Sequence, residues 1–238
     1  MEVVIVHVTR LSRPGTICVA GVEPGKKAHV RPVLDGKLLT EKLLASHGGP
    51  FALGALVDLG RVRPVGRAPA LEDHLFASSR ARQLRCLAPG EFWQLLEALA
   101  RPALAELFGP DLRPHGSGLV VDIGKGSASL GCLRSRTRPL LELADYSGRK
   151  HIRMRLTDEQ GHYSLSVTDQ RLYDVSSGAI REAQVAALAE RLARGSPVIL
   201  AMGLGRPWKR EDDDAELHWL HVNNIHLADE PLWNGAAM

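Results

Sequence analysis

The stretch VVIVHVTRLSRPGTICVAGV, Val3 to Val22, decides the fold class. Two β-branched runs, VVIVHV (Val3 to Val8) and TICVAGV (Thr16 to Val22), flank the turn formers Arg13-Pro14-Gly15. Valine, isoleucine and threonine are stiff at their first side-chain torsion and pack well on a pleated surface, so each run reads as a strand. The pattern then continues as a meander. AHVRPVL, Ala28 to Leu34, is a third strand that Pro32 confines to an edge or an end, because proline lacks the N–H a ladder needs. Leu38 to His47 reads as a short helix stopped by Gly48-Gly49-Pro50, and Ala55 to Val65 as another strand.

Farther along, the period changes. EFWQLLEALA, Glu91 to Ala100, places Phe92, Leu95, Leu96 and Leu99 at helical spacing, and Pro102 opens a second helix ending at Gly109-Pro110. Leu71 to Gly109 is therefore expected to be a helical insertion. Pro110 to Gly118, rich in proline and glycine, marks the boundary between an N-terminal lobe, 1–115, and a C-terminal lobe, 116–238.

The second lobe repeats the order of strands, helix, strands. HIRMRL, His151 to Leu156, turns Ile152, Met154 and Leu156 one way and His151, Arg153 and Arg155 the other. Across TDEQG, HYSLSVT (His162 to Thr168) completes a hairpin with a four- or five-residue loop. Ala179 to Arg194 is a helix with the stripe Val185, Leu188 and Leu192; PVILAMGL, Pro197 to Leu204, is apolar on both faces and reads as a buried strand. Two small antiparallel β-barrels with added helices satisfy this pattern, since closure removes exposed edges. An SH3-like or mixed α+β arrangement satisfies it too.

Composition sets outer bounds. The 238 residues are 45% apolar and 24% charged, which supports a packed core. The net charge of +3 is mild, but seven basic residues lie between Arg134 and Arg155 against only Glu142 and Asp145. Cys18, Cys86 and Cys132 include no Cys-x-x-Cys pair, so neither a disulfide framework nor a thiolate zinc motif is written in the chain. The N-terminus is unlike a signal peptide and no apolar run approaches membrane length, from which a soluble, cytoplasmic protein with no membrane partner is expected.

Candidate ligand residues gather in GLGRPWKREDDDAELHWLHVNNIH, Gly203 to His226. In an extended HWLHVN, Leu220 and Val222 share a face with His218, while Trp219, His221 and Asn223 take the other. That second face offers an indole, an imidazole and an amide, groups suited to a base or another planar polar ligand. A structural reading stands beside it: Asn223-Asn224 as turn formers, Trp219 as a cap on the core. Arg206 and Trp208 could likewise hold a phosphate and stack on a base, or Arg206 could pair with the acids of EDDDAE. Arg153 and Arg155, with Arg134, Arg136 and Arg138 nearby, give the main electrostatic footprint, and Arg31 in HVRPV is a candidate of the same kind.

Metal and catalytic motifs are not written in the sequence. Consecutive aspartates point in different directions, so EDDD reads as a solvated hairpin tip, and a strand separates His218 from His221. There is no Gly-x-Ser-x-Gly elbow, Walker loop, post-strand GxGxxG or HExxH. An enzyme would have to draw acid–base groups from Asp145, Asp158, Asp169 or Asp174 with His151 or His162.

VHVTR with AHVRPVL, GLGRPW and the closing HWLHVNNIHLADEPLW resemble the prokaryotic dual OB domain family, over the whole chain and most strongly over its last forty residues. The resemblance implies a mainly β protein of two tandem OB-like barrels, a non-catalytic module contacting nucleic acid, often in genome-defence settings. Arg206, Pro207, Trp208, Trp219, Asn223 and Asn224 match the family's C-terminal pattern. The expectation is binding of single-stranded or unpaired nucleic acid, without cofactor or metal, through Arg31, Arg153, Arg155, Arg206, Trp208, Trp219, His221, Asn223 and Asn224. Its alternatives are a nucleotide- or nucleic-acid-processing enzyme and a protein-recruiting scaffold.

Overall fold

Strand β1 (Glu2–Arg10) is buried along both faces from Val3 to Thr9. In the computed structural model, which describes residues 1–146, 148–158, 161–210 and 213–233, this strand lies inside the N-terminal sheet and against the C-terminal lobe. It pairs antiparallel with β2 (Thr16–Val22) across the Pro14-Gly15 turn. Gly21 permits that closeness, because a Cβ there would lie 2.5 Å from the Val4 carbonyl oxygen. The register slips between Ile5 and His7; this bulge returns Val8 to the core shared by Val3 and Ile5 and turns His7 toward the second lobe.

The remaining N-terminal strands are β3 (His29–Val33), β4 (Leu39–Thr40), β5 (Ala55–Asp58), β6 (Arg63–Pro64), β7 (Asp73–Leu75) and β8 (Arg82–Cys86). They run in the order β6-β7-β3-β2-β1-β5-β8, with β4 on β2. The helical insertion expected over 71–109 becomes helical only at α1 (Pro89–Leu99), followed by α2 (Leu104–Phe108); β7 and β8 occupy its first part. Those strands are short, and β8 buries none of its side chains, so no core face marks it as a strand. Likewise, Leu38 to His47 forms β4 and two short 3-10 turns rather than one helix.

The second sheet contains β9 (Arg113–His115), β10 (Gly118–Asp122), β11 (Leu130–Leu133), β12 (Leu140–Tyr146), β13 (Arg149–Asp158), β14 (Gly161–Val167), β15 (Val198–Leu204) and β16 (Leu217–Leu227). Its order is β11-β15-β16-β14-β13-β12, with β10 joining β16 to β9. The β13–β14 pairing extends to Asp158 and Gly161, tighter than the expected loop, whose Glu159 and Gln160 lie outside the described residues. Two pairings, β3–β7 and β14–β16, are parallel, so the expected antiparallel barrels are mixed sheets. The protein is mainly β with two lobes of OB-like character. Helix α3 (Glu182–Ala193) buries Val185, Leu188 and Leu192 in the C-terminal core.

Helix α1 knits the lobes. Its Phe92, Leu96 and Leu99 pack with Val4, Val6 and Val22 of the first sheet and with Cys132 and Ile199 of the second. Polar ties reinforce this apolar layer: the Glu72 carboxylate accepts from Ser129 N at 2.7 Å, Ser129 Oγ at 2.9 Å and Leu130 N at 3.2 Å.

Candidate nucleic-acid interface

Strand register builds a polar row across the second sheet. Glu142 in β12 faces Arg153 in β13, which faces Ser166 in β14, which faces His221 in β16, which faces Gly203 in β15. Directly opposed residues share a face of the sheet, so their side chains meet. Arg153 lies flat along the row, its Nη1 donating to Ser166 Oγ at 2.6 Å, its Nε to Ser164 Oγ at 3.2 Å and its Nη2 to the Ser164 carbonyl. These partners are uncharged, and no carboxylate among the described residues lies in ion-pair contact with it. Burial lowers its pKa from the ordinary arginine value.

His221 lies near enough to feel the charge of this guanidinium, at a place where Gly205 leaves room; a Cβ at Gly205 would stand 3.0 Å from His221 Nε2. Its Nδ1 is sealed from solvent without a partner. Burial first, then the Arg153 and Arg210 charges, push the imidazole down to about 4, so the ring is neutral at physiological pH.

Trp219 lies beside the row, and its position departs from the expected stacking face. It is 2% exposed, packed with Val120 and Leu217 in a small cluster. The Arg210 guanidinium covers its ring 3.2 Å from the centroid, His115 meets it edge-on at 5.3 Å, and Trp208 leans on it at 6.0 Å. A base cannot reach that ring without displacing Arg210. Trp208 remains 45% exposed, held by mutual backbone hydrogen bonds with Leu217 at 3.2 Å.

Two further expected ligands are internal. Asn224 is fully buried and bonded to the Val8 backbone; a second bulge at Asn223, where the register slips between Ala201 and Met202, turns Asn224 and His226 toward β1. Asn223 lies between the lobes, its Nδ2 3.2 Å from His7 Nδ1. Arg31 is buried as well, with its Nε 2.5 Å from Asp73 Oδ1; Arg206 reaches Asp73 Oδ2 at 2.6 Å from a side chain 62% exposed. Asp73 thus joins an arginine from each lobe, and among the described acids of EDDDAE, 213–216, none forms an ion pair with Arg206. Glu211 and Asp212 of that run lie outside the described residues.

Arg155 is exposed and pairs with Glu142 at 2.8 Å, while Arg134 and Lys150 pair with Glu97 and Glu182. The sequence footprint is therefore partly compensated by acids from other elements. Arg210 and Tyr146 were not among the sequence candidates; the acids after Arg210 masked it, and Tyr146 closes an otherwise ordinary strand. Tyr146 is 54% exposed at the end of β12, its ring 5.7 Å from that of His151.

The carboxylates considered for catalysis are engaged elsewhere. Asp145 and Asp174 accept in turns from Gly148 N and Ser177 N, Asp158 accepts from Leu104 N, and Asp169 pairs with Arg171. His151 faces Tyr146, and His162 Nδ1 lies 2.9 Å from Thr157 Oγ1.

Two mixed sheets, fused through α1 and sharing polar ties, match a family model described as the dual OB-containing domain over residues 1–225. The chain belongs to that family. Among solved structures, the dual OB-containing domain is similar to a murine DNA-binding protein bound with double-stranded DNA, at 7% identity over 92% of this chain and 91% of that one. The TM-score of 0.34 is too low for that likeness to carry an argument. A comparison with curated proteins finds no match. In this dual OB-containing domain no helix among the described residues is long and apolar enough to cross a membrane.

Proposed function

We propose that the protein binds nucleic acid, single-stranded or unpaired, across the face formed by β12, β13, β14 and β16. The observation that carries this reading is the pair Arg153 and Arg210, which stand near enough for each to feel the other's charge and lack a carboxylate in ion-pair contact among the described residues. Asp213 and Glu142 act on them only from beyond ion-pair distance, so the two guanidiniums favour an anion; Arg210, with no side-chain hydrogen bond among the described residues, offers its fork to phosphate, while the buried Arg153 adds charge beneath it. Exposed Trp208 and Tyr146 flank them and supply aromatic faces for splayed bases, an arrangement suited to single strands. Arg155 and Arg206 extend the path at its edges. A setting in prokaryotic genome defence belongs to the proposal on family resemblance alone.

The test is fluorescence anisotropy with labelled single-stranded and duplex oligonucleotides over a salt series. Single strands should bind more tightly. Arg210→Ala and Arg155→Ala should each reduce the slope of log K against log salt by up to about 0.7. Equal slopes in wild type and both variants would overturn this placement of the phosphates.

A further inference from the structure

Three side chains distant in sequence meet at the joint between the lobes: His7 in β1, His29 at the start of β3 and Cys132 in β11. One ligand-capable atom of each lies within 4.8 Å of the other two. His7 is 1% exposed, His29 is half-buried and Cys132 is buried. Nε2 of both histidines is sealed from solvent without a hydrogen-bond partner, and the rings meet edge to face at 5.4 Å. Buried polar nitrogens are nearly always satisfied, so two orphaned imidazole nitrogens beside one thiol call for a shared partner.

We propose that His7, His29 and Cys132 form a zinc site that clamps the two lobes together. Two imidazoles and a thiolate are the donors this borderline-soft cation takes, and a water can fill the fourth, tetrahedral position. Donor atoms around a tetrahedral zinc stand roughly 3.5 Å apart, so atoms that lie within 4.8 Å of one another draw together by up to about 1.3 Å on binding. On binding, the Cys132 Sγ–H bond breaks, the proton goes to solvent and the sulfur's electron pair forms the metal bond. The adjacent charge of Arg31 is balanced by Asp73 at 2.5 Å.

The surroundings also provide a supporting shell. Metal-bound imidazoles usually donate their other ring N–H to an oxygen. His7 Nδ1 faces the Asn223 carboxamide, and turning that amide by half a rotation presents Oδ1 as acceptor for Nδ1–H. Thr168 Oγ1, 3.4 Å from the amide, then faces Nδ2 and can accept from it. Gly203 makes room for Asn223, since a Cβ there would fall 2.2 Å from Nδ2.

The experiment is titration of the metal-free full chain with Co2+ as an optical stand-in, followed by Zn2+. One equivalent of cobalt should produce a thiolate charge-transfer band with the intense visible absorption of a tetrahedral ion. Zinc should bleach both and raise the melting temperature. Cys132→Ala and His29→Ala should abolish the bands, and Asn223→Ala should weaken zinc binding by about 10- to 100-fold. His29 is partly exposed, so its variant serves even if the Cys132 variant folds poorly. No thiolate band at stoichiometric cobalt, or zinc affinity unchanged in His29→Ala, would overturn the site.

Discussion

Asn224 grips Val8 as a neighbouring strand would. Its Oδ1 accepts from Val8 N at 2.8 Å and its Nδ2 donates to the Val8 carbonyl at 3.1 Å, so one side chain satisfies both backbone groups of a residue in the other lobe. Truncation would leave both groups buried without partners. Asn224→Ala is expected to cost roughly 2–5 kcal/mol, read as a lower midpoint in urea unfolding. A change under about 0.5 kcal/mol would mean that the tie is not used.

Asp169 and Arg171 form the second deep polar tie. The carboxylate is fully buried, accepts from Arg171 and from Ile225 N at 3.0 Å, and lies under a guanidinium that also donates to the carbonyls of Ile225 and Trp233. Removing the acid strands a buried cation. Asp169→Ala should destabilise by roughly 3–5 kcal/mol, whereas Asp169→Ala paired with Arg171→Met should recover part of that loss. Thermal melts of the wild type and the two variants check the order.

Much of the scaffold was legible because its signals were local. The β-branched runs of β1 and β2, the stripe of α3 and the two-faced apolarity of β15 each state their own burial. What sequence could not give was the pair of bulges: one inserted residue in β1 and one in β16 reset the alternation. Simple parity places Asn224 with Val222, yet Ile225 joins Val222 in the core and Asn224 turns to β1. The same limit hid the meeting of His7, His29 and Cys132, since no spacing rule connects residues on three strands of two sheets. For the candidate interface, charge was visible but most of its compensation was not: Glu142 stands within the basic segment, whereas Glu97 and Glu182 reach it through tertiary contacts.

His221 gives a pH signature. Burial lowers its pKa in the folded chain from 6.5 to about 4, so the unfolded chain takes up the proton first as pH falls. The stability it contributes is complete above about pH 6.5 and lost progressively down through about pH 4. That difference corresponds to at most roughly 3 kcal/mol. His29 and His226, also lowered to about 4, and His7 titrate alongside it, so replacing the ring with a neutral amide, His221→Gln, should remove one proton's share of the slope between about pH 6.5 and pH 4 in the stability–pH curve measured by denaturant unfolding. An unchanged curve would show that His221 titrates as a solvated imidazole.

The two neighbouring tryptophans should part company under mutation. Trp219 fills the cluster with Val120 and Leu217 beneath Arg210, so Trp219→Ala should lower stability by roughly 3–5 kcal/mol. Trp208 is 45% exposed and its loss opens little cavity, so Trp208→Ala should leave the melting temperature within a few degrees of wild type. If its exposed face stacks on a base, the same variant should weaken single-strand binding by about 1–3 kcal/mol while leaving the salt slope unchanged, because stacking releases no counterions. Binding must be compared well below the melting point of each variant, which separates a lost contact from a lost fold. Wild-type affinity in a fully folded Trp208→Ala would remove Trp208 from the interface and shift the burden of base contact to Tyr146, testable by Tyr146→Ala in the same assay.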